Sequence, residues 1–312
     1  MKQPLSVPRL IVLREVVSCR SFSAAAEALS YSQSSVSQAV ATLETELGVS
    51  LVERDRRGVR PTPAGSALVA HADGILARLE AAESEVAAIA GLRAGRLRVA
   101  SFPSAGAALM PLAIATFRAA HPGVEVRLAE GEPEEIVPRL RGGEFDLALV
   151  YEFSRTSEKL GSGMRRVDLL SDPMHVALPA GHRLATKPKL RLADLRDESW
   201  IQTSASTPCA RHVVRSCHEA GFEPTVSFES DDYQTVQGLV AAGVGVALIP
   251  ALALSSVRDD IRIRALQPRP PVRTVLAATP RSESVTPAVA TMLDILRTTA
   301  ARYQPTVPDS NA

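Results

Sequence analysis

Cysteine is scarce in this chain, with three residues in 312. A small, odd number of cysteines argues against a disulfide framework and favours a reducing, cytoplasmic location. Long apolar runs are also lacking, because the longest, residues 239–254, is shorter than the roughly 20 residues of a membrane span and contains Gly243, Gly245 and Pro250. The N-terminus carries no stretch of the signal-peptide type. The sequence therefore predicts a cytoplasmic protein with no membrane partner.

An excess of charge of either sign is absent too, because 35 basic residues stand against 34 acidic ones, a net charge of +1. A protein that binds nucleic acid over its whole surface would be more basic, so DNA contacts would have to come from a local patch. Enzyme signatures are missing as well: there is no G-x-S-x-G, P-loop, H-E-x-x-H or dinucleotide fingerprint. These absences favour a non-enzyme that needs no metal or cofactor.

Residues 21–48 contain two predicted short helices separated by a turn. Ser23 is a candidate N-cap for the first helix, over residues 24–29. The second helix begins at Gln33 and ends at Gly48, a typical C-terminal stop. Its apolar residues recur at spacings of four, three and four, which predicts one buried stripe: Val36, Val40, Leu43 and Leu47.

Short uncharged side chains occupy the opposite face of this second helix. Serine and glutamine can hydrogen-bond to base edges in a major groove without burying an unpaired charge. We therefore predict base-edge contacts from four residues near the start of the helix: Gln33, Ser34, Ser37 and Gln38. The alternative is an ordinary solvated helix pair, since small polar residues on an outer face are common.

Two short extended segments follow, around a turn at Gly58. They predict a β-hairpin wing, in which Arg54 and Arg57 contact the DNA backbone. Three segments, SFSAAAEAL, SQSSVSQAVATLETELG and LVERDRRGVRPTPAG, resemble the winged helix-turn-helix of LysR-type transcriptional regulators, in order and without gaps. The resemblance covers the first fifth of the chain closely and the rest more loosely. It implies a DNA-binding domain over residues 1–62 whose partner is double-stranded DNA.

A long helix is predicted after Pro63, where the chain is rich in alanine, leucine and glutamate. Apolar residues spaced three and four apart from Ala72 onward predict packing along a similar helix: Ile75, Leu79, Ala82, Val86 and Ile89. Packing against the rest of its own chain is the alternative. The resemblance favours a homodimer, because residues 63–92 correspond to the linker helix through which such regulators pair, and it implies a homotetramer.

From residue 93 onward short apolar strands alternate with helices, which predicts an α/β domain with mainly parallel sheets. The resemblance implies a two-lobed effector-binding domain of the periplasmic-binding-protein type. Lobe I would comprise about residues 93–167 and 272–303, and lobe II about residues 168–271. Residues 304–312 are predicted to be a flexible tail. The predicted fold class is thus multidomain: an α-helical winged helix-turn-helix, a long linker helix and a two-lobed α/β domain.

A cleft for a small polar effector is predicted between these lobes. Open α/β sheets bind ligands at the carboxyl ends of their strands, beside helix N-termini. The polar residues at those positions are, first in lobe I and then in lobe II, Ser101, Ser104, Glu132, Thr203, Ser204 and Asp231. Each hydroxyl could instead cap a helix. Glu132 and Asp231 would repel an anion, so the charge of the effector stays open.

Cys209 and Cys217 lie near the two ends of a predicted helix over residues 208–220. The helix dipole would lower the thiol pKa of Cys209, and the region loosely resembles peroxide-sensing members of the family, which join two cysteines of this lobe. Eight residues of helix rise by about 12 Å, so a bridge would require the helix to unfold. The alternative is that both cysteines simply pack under the helix.

The predicted function is therefore a regulator whose binding to promoter DNA responds to a small effector in the cleft, with RNA polymerase as a further potential partner. One alternative is a redox-responsive regulator of the same family that uses Cys209 and Cys217. A more distant alternative is a two-lobed solute-binding protein without a regulatory role, which the predicted N-terminal helices oppose.

Overall fold

The computed structural model of the chain describes residues 5–55, 58–89, 95–153, 163–281 and 285–303. The chain divides into two compact units, residues 1–89 with 141–144 and the remainder. The predicted tail, residues 304–312, lies outside the described residues. No helix within the described ranges is long and apolar enough to cross a bilayer.

The N-terminal unit contains helices and one hairpin, in this order: α1 (Val7–Cys19), α2 (Phe22–Ala28), α3 (Gln33–Leu47), β1 (Val52–Asp55), β2 (Gly58–Pro61) and α4 (Pro63–Ile89). Helix α1 was not among the predicted elements. It contributes Val12, Leu13 and Val16 to an apolar core shared with α2, α3 and the hairpin. These side chains are at most 3% exposed, so α1 supports the two helices that the sequence predicts.

Helix α2 begins earlier than predicted. Ser21, not Ser23, is its N-cap, and the Ser21 hydroxyl accepts a hydrogen bond from the Ala24 N–H at 3.3 Å. The reason is Phe22, which is buried in the core as the first residue of the helix and places Ser23 inside it. Helix α3 has the predicted bounds, with Ser32 as N-cap and Gly48 in the left-handed conformation (φ +71°) as C-cap.

The predicted wing is confirmed as an antiparallel hairpin, with Val52 opposite Pro61 and Asp55 opposite Gly58. Gly58 is required at its position, because φ is +118° and a Cβ would lie 2.7 Å from the Arg20 carbonyl oxygen. That same carbonyl accepts a hydrogen bond from the Val59 N–H at 2.9 Å. The hairpin is thereby tied to the turn between α1 and α2.

The C-terminal unit alternates strands and helices. Its elements are β3 (Gly95–Ser101), α5 (Pro103–Ala108), α6 (Met110–Ala120), β4 (Val124–Glu130), α7 (Pro133–Arg141), β5 (Leu147–Glu152), β6 (Met164–Pro179), β7 (Ser199–Gln202), α8 (Pro208–Glu219), β8 (Thr225–Glu229), α9 (Tyr233–Ala241), β9 (Ala247–Pro250), β10 (Ile261–Ala265), β11 (Val272–Pro280) and α10 (Pro287–Arg302). Helix α5 ends at Ala108, and a separate helix, α6, begins at Met110. Pro111 lacks the N–H that would continue the α5 hydrogen bonds, so it lies in the first turn of a new helix.

The main sheet is mixed, so the prediction of mainly parallel sheets is wrong. Its order is β10-β6-β11-β5-β3-β4, with β9 also paired to β6. Strand β3 is parallel to β4 and β5, whereas β11 is antiparallel to β5 and β6, and β6 is antiparallel to β9 and β10. Strand β6 causes the difference, because its three partners, β9, β10 and β11, all run antiparallel to it.

Strand β6 also connects the two lobes. Its first part, up to Pro173, pairs with β11 in lobe I, and its last residues pair with β9 and β10 in lobe II. Strands β7 and β8 form a separate parallel pair. The winged helix-turn-helix, the long helix and the two-lobed α/β domain of the predicted fold class are confirmed.

Candidate nucleic-acid interface and effector cleft

Helix α3 has one buried and one exposed face. Val36, Val40 and Leu43 are at most 2% exposed, whereas Gln33, Ser34 and Gln38 are exposed and Ser37 is half-buried. The orientation follows from the spacing of the apolar residues, which places them on one side of the helix. The predicted base-contacting residues thus lie on the accessible side.

Hydrogen bonds within the helix decide which polar groups stay available on this face. The Thr42 and Thr45 hydroxyls donate to the carbonyls of Gln38 and Ala41, at 2.7 and 2.8 Å. The Ser32 hydroxyl caps the helix and contacts the Ser34 hydroxyl at 2.9 Å. The threonine donors are used by the helix itself, so the exposed glutamine amides are the better groups for a base edge.

The wing is held against α3 by a contact from the half-buried carboxylate of Glu44. Glu44 Oε1 accepts hydrogen bonds from the backbone N–H groups of Leu51 and Val52, at 2.7 and 3.3 Å. Arg54 lies in β1 opposite Val59, and Arg57 lies outside the described residues. The brace fixes the start of the hairpin relative to the helix, which is what a wing requires if helix and hairpin are to contact one duplex together.

The apolar residues of α4 that were predicted to pack along a second helix are exposed. Ile75, Leu79 and Val86 are 38%, 43% and 66% exposed, and Ala82 is exposed as well. Ala72, by contrast, is fully buried. Ile89 ends the helix, and its side chain lies outside the described residues. These exposed residues of α4 therefore do not belong to the core of their own unit.

In the C-terminal unit, Arg273 of β11 lies at the centre of a buried polar cluster. It is 2% exposed, its Nε donates to Asp172 Oδ2 at 2.8 Å, and a terminal nitrogen donates to the Ser104 hydroxyl at 2.5 Å. The rings of Phe102 and Tyr151 flank the guanidinium, with centroids 4.8 and 4.7 Å from its central carbon. The nearby Asp172 carboxylate raises the pKa of Arg273 further, although burial opposes this. The guanidinium is thus charged and paired with a buried carboxylate.

Glu132 lies beside this cluster, after β4. Its Oε2 accepts a hydrogen bond from the Tyr151 hydroxyl at 2.7 Å. Burial raises the pKa of Glu132, partly offset by Tyr151 and Arg273, and repulsion from Asp231 raises it further. Glu132 follows β4 in lobe I, and Asp231 follows β8 in lobe II.

The lobe II side of the cleft consists of the loop before α8 and the loop after β8. The Ser204 N–H donates to Asp231 Oδ1 at 2.8 Å, and the Ala205 N–H donates to Glu229 Oε2 at 3.3 Å. Thr207 is the N-cap of α8, with its hydroxyl 2.9 Å from that of Thr203. Two backbone donors of this loop are therefore already occupied by carboxylates of the same chain.

Two contacts join α8 of lobe II to lobe I. Arg211 pairs with Glu134 of α7 at 2.7 Å. The His212 ring stacks on Phe153, with centroids 3.9 Å apart and planes 16° from parallel. Burial and the neighbouring Arg215 lower the pKa of His212 to about 4.

Comparison with known proteins identifies the chain. Its residues 8–66 match the bacterial regulatory helix-turn-helix protein, lysR family, and residues 90–301 match the LysR substrate binding domain. The chain belongs to the LysR family of transcriptional regulators. Its DNA-binding unit is the winged helix-turn-helix, and its two-lobed domain is the effector-binding domain.

Similar proteins span 80% or more of this LysR-type regulator. A probable HTH-type transcriptional regulator, LrrA of Synechococcus elongatus, is 34% identical over 302 residues, 97% of this chain and all of LrrA. A probable hydrogen peroxide-inducible genes activator of Mycobacterium avium is 33% identical and covers 80% of both chains. The structure is similar to full-length OxyR from Pseudomonas aeruginosa, with a TM-score of 0.73, 25% identity and coverage of 97% and 100%.

The six predicted effector residues of this LysR-type regulator differ in their surroundings. Ser101 is 1% exposed, and its hydroxyl donates to the neighbouring Phe102 carbonyl, so it serves the backbone. Ser104 accepts from Arg273, and Thr203 contacts the cap of α8. Of the other three, the Ser204 N–H donates to Asp231, and Glu132 accepts from the Tyr151 hydroxyl.

The centre of the cluster, Arg273 with Asp172 and Tyr151, was not among the predicted site residues. A signal was present, because Arg273 lies within the strand predicted over residues 272–278, and a buried arginine requires a nearby carboxylate. The partner could not be named from the sequence, since Asp172 lies 101 positions away. A pocket of about 410 Å³ at the start of β6 and the end of β11, lined partly by Arg165, Arg166 and Arg281, includes no predicted effector residue.

The two cysteines of α8 are unbridged and buried, 4% and 0% exposed. Both belong to the apolar core, which confirms the interpretation that they pack under the helix. The prediction that the helix N-terminus lowers the thiol pKa of Cys209 is wrong: burial raises the pKa of Cys209, and it raises that of Cys217 to about 12. Loss of hydration of the thiolate outweighs the helix dipole at this depth.

Proposed function

We propose that this LysR-type regulator binds operator DNA as a dimer and reads base edges with Gln33, Ser34, Ser37 and Gln38 of α3. The orientation of α3 carries the proposal, because its apolar stripe is buried and its polar face is open. Arg54 and Arg57 of the wing contact phosphates, which position the protein without reading sequence.

The dimer forms through α4 in this proposal. Ile75, Leu79 and Val86 expose apolar surface in a line at spacings of four and seven, which a second copy of the helix would cover. Two recognition helices would then address half-sites about one helical turn apart, roughly 34 Å. Assembly into a tetramer follows from the family resemblance.

The cleft of the C-terminal domain holds a small polar effector that is bound and not chemically converted, so the protein acts without enzyme activity or a cofactor, in the cytoplasm. Effector binding that favours one arrangement of the lobes would change how the two recognition helices are presented, and DNA would in turn change the affinity for the effector. The interlobe pair Arg211–Glu134 and the His212–Phe153 stack are the contacts that such a change would alter.

Fluorescence anisotropy with the DNA upstream of the gene for this protein tests the proposal. At low salt we expect tight binding that weakens steeply as salt rises, because phosphate contacts release counterions. A scrambled duplex of equal length is the control. Equal affinity for both duplexes at every salt concentration would contradict base reading by α3.

A redox response through Cys209 is a second candidate function, favoured by the similarity to peroxide-inducible activators. The geometry gives it one supporting contact, Cys209 Sγ at 3.7 Å from the Tyr233 hydroxyl. The raised thiol pKa opposes it, since the thiolate is the reactive form. DNA affinity measured before and after hydrogen peroxide, with Cys209→Ser as the control, separates the two candidates.

A further inference from the structure

A pocket separate from the predicted cleft lies in lobe I, where β6 begins and β11 ends. Met164 is opposite Pro280 there, and Ala278 of β11 pairs with Ala148 near the start of β5. The pocket therefore lies at the amino end of β5, whereas the cleft is predicted at the carboxyl ends of β3 and β4. Its volume of about 410 Å³ is within the range of small-molecule sites. This lobe I pocket is lined, among the residues that the structure describes, by Met164, Arg165, Arg166, Pro280, Arg281 and Val285.

Two of the three arginines of the lobe I pocket lack an acidic partner within the described ranges. Arg166 donates to Glu152 at 2.9 Å and to Asp168 at 3.0 Å, so its charge is compensated. The side chains of Arg165 and Arg281 are exposed. Neither forms an ion pair or a side-chain hydrogen bond with any residue in the described part of the chain. Two uncompensated guanidinium groups beside one cavity attract an anion.

Backbone hydrogen bonds fix the two strand ends that carry these arginines. The Arg281 N–H donates to the Gly163 carbonyl at 2.7 Å, one residue beyond the Met164–Pro280 pair of β6 and β11. Arg165 is the second residue of β6, so both arginines extend from the same paired end of the sheet. A site on paired strands keeps its geometry better than one on a loop.

The N-terminus of α10 adds positive potential beside the lobe I pocket. Val285, a lining residue, directly precedes Thr286, the N-cap of this 16-residue helix. The backbone N–H groups at a helix N-terminus carry a partial positive charge. Residues 287–290, which form the first turn, include no acidic side chain in the sequence that would offset it. The helix end and the two arginines thus favour the same sign of ligand charge.

The remaining wall of the lobe I pocket is apolar. Met164, Pro280 and Val285 are half-buried and line the cavity together with the arginines. Met164 and Val285 also pack against two different core clusters of the domain, which anchors this wall. A cavity with cationic groups on one part and apolar groups on another suits a ligand that has an anionic head and a carbon chain.

We propose that the lobe I pocket binds a small phosphate monoester that carries an apolar group. The phosphate contacts Arg165 and Arg281, and the carbon chain lies against Met164, Pro280 and Val285. A phosphate monoester carries a charge of about −1.5 to −2 at neutral pH and three oxygens, which two guanidinium groups can share. The pocket gives the regulator a ligand site in addition to the cleft of the proposed function.

Isothermal titration calorimetry on the full-length protein tests this with four probes at pH 8 and constant ionic strength: hexyl phosphate, hexan-1-ol, hexylamine and inorganic phosphate. We expect hexyl phosphate to bind at least about tenfold more tightly than each of the others, because it alone supplies both the dianion and the apolar chain. Absence of hexyl phosphate binding, or equal binding of the alcohol or the amine, overturns the proposal. Inorganic phosphate that binds as tightly as hexyl phosphate also overturns it, because the apolar wall would then have no role.

The double variant Arg165→Gln, Arg281→Gln locates the bound anion. Glutamine keeps hydrogen-bond donors and removes the charge, and both side chains are exposed, so the urea unfolding midpoint should not change. We expect the affinity for hexyl phosphate to fall at least about tenfold, because both charged partners of the phosphate are lost. The matched control is Arg196→Gln, Arg269→Gln, which removes the same charge from two exposed arginines of lobe II and should keep the affinity of the unaltered protein.

Two outcomes of the variant experiment contradict the site. Equal losses in both double variants would assign the affinity to overall charge. An unchanged affinity in Arg165→Gln, Arg281→Gln would place the phosphate elsewhere on the protein, the effector cleft included. Either result overturns the proposal and leaves DNA binding by α3, which is measured separately, unaffected.

Discussion

The recognition helix and the effector cleft satisfy their polar groups in opposite ways. On α3, Gln33 and Gln38 extend into solvent from a helix whose other face is core. In the cleft, Arg273, Asp172 and Ser104 hydrogen-bond to one another below the surface. An open face can meet a duplex without rearrangement, whereas the cleft must exchange internal contacts for those of a ligand. That exchange is a source of differential binding energy, which a ligand needs in order to shift a conformational equilibrium.

The buried pair of the cleft should show the largest effect of any single substitution. We expect Arg273→Ala to lower the free energy of unfolding by about 3–5 kcal/mol, because Asp172 would be left as an uncompensated buried charge. Urea unfolding followed by the fluorescence of Trp200 measures this, since it is the only tryptophan of the chain and lies in the core of the C-terminal unit.

The double variant Arg273→Met, Asp172→Leu is the control for that measurement. It removes both charges, so at least half of the lost stability should return. A double variant as unstable as Arg273→Ala would show that shape, and not charge, is what the site requires. The contrast with α3 would then lose its electrostatic basis.

Substitutions on the exposed face of α3 and on the wing should change DNA recognition and leave the free energy of unfolding unchanged. We expect Gln38→Ala to relax the preference at one base pair by about 1–3 kcal/mol, whereas Arg57→Ala weakens all sequences alike and reduces the salt slope by about one. Anisotropy on a set of single-base operator variants at three salt concentrations measures both. Uniform losses from both substitutions on every sequence would refute this division between base reading and phosphate contact.

The contact of His212 with Phe153 gives the interlobe closure a pH dependence. Burial beside Arg215 lowers the pKa of His212 to about 4, below the value of an unfolded chain near 6.5. The contribution of the neutral His212 ring to stability is therefore complete above pH 6.5 and is lost as the pH falls towards 4. We expect a loss of about 1–2 kcal/mol, reduced from the full linkage value because the ring is partly exposed.

Thermal unfolding between pH 7 and 4 tests this, with His212→Gln as the variant and His218→Gln, an exposed histidine of the same helix, as its matched control. His212→Gln should flatten the acid side of the stability profile, and the control should not. Superimposable profiles for all three proteins would exclude His212 as the titrating group.

Substitution of Glu132 should have the smallest effect on the free energy of unfolding. Burial raises its pKa, so its charged form destabilises the folded state above that pKa, and the cost disappears as the pH falls through it. Glu132→Gln keeps an acceptor for the Tyr151 hydroxyl and should stabilise the protein at neutral pH, by less than about 1 kcal/mol. Chemical unfolding at pH 8 and pH 4 measures the difference, and a variant less stable at pH 8 would contradict it.

Local patterns predicted the N-terminal unit well, because its signals lie close together in sequence. The spacing of Val36, Val40 and Leu43 fixed the buried side of α3, and Gly58 marked the hairpin turn. The prediction of Ser23 as the N-cap of α2 was wrong because of Phe22, whose burial depends on α1 and not on the local capping pattern.

The sequence predicted where the cleft lies but not which residues pair at its centre. Loop positions after strands pointed to Glu132, Ser204 and Asp231, since the carboxyl ends of strands border a cleft. The pair Arg273–Asp172 depends on β11 lying beside the long strand β6 in antiparallel register. That register is set by tertiary pairing, for which a single sequence carries no local signal.

Photocrosslinking tests most directly whether the open face of α3 meets DNA. A benzophenone amino acid is placed at Gln38 or, as a control, at His71, an exposed position of α4, and each protein is irradiated with labelled operator duplex. We predict a covalent DNA adduct from position 38 and none from position 71. An adduct from position 71 with none from position 38 would contradict the account.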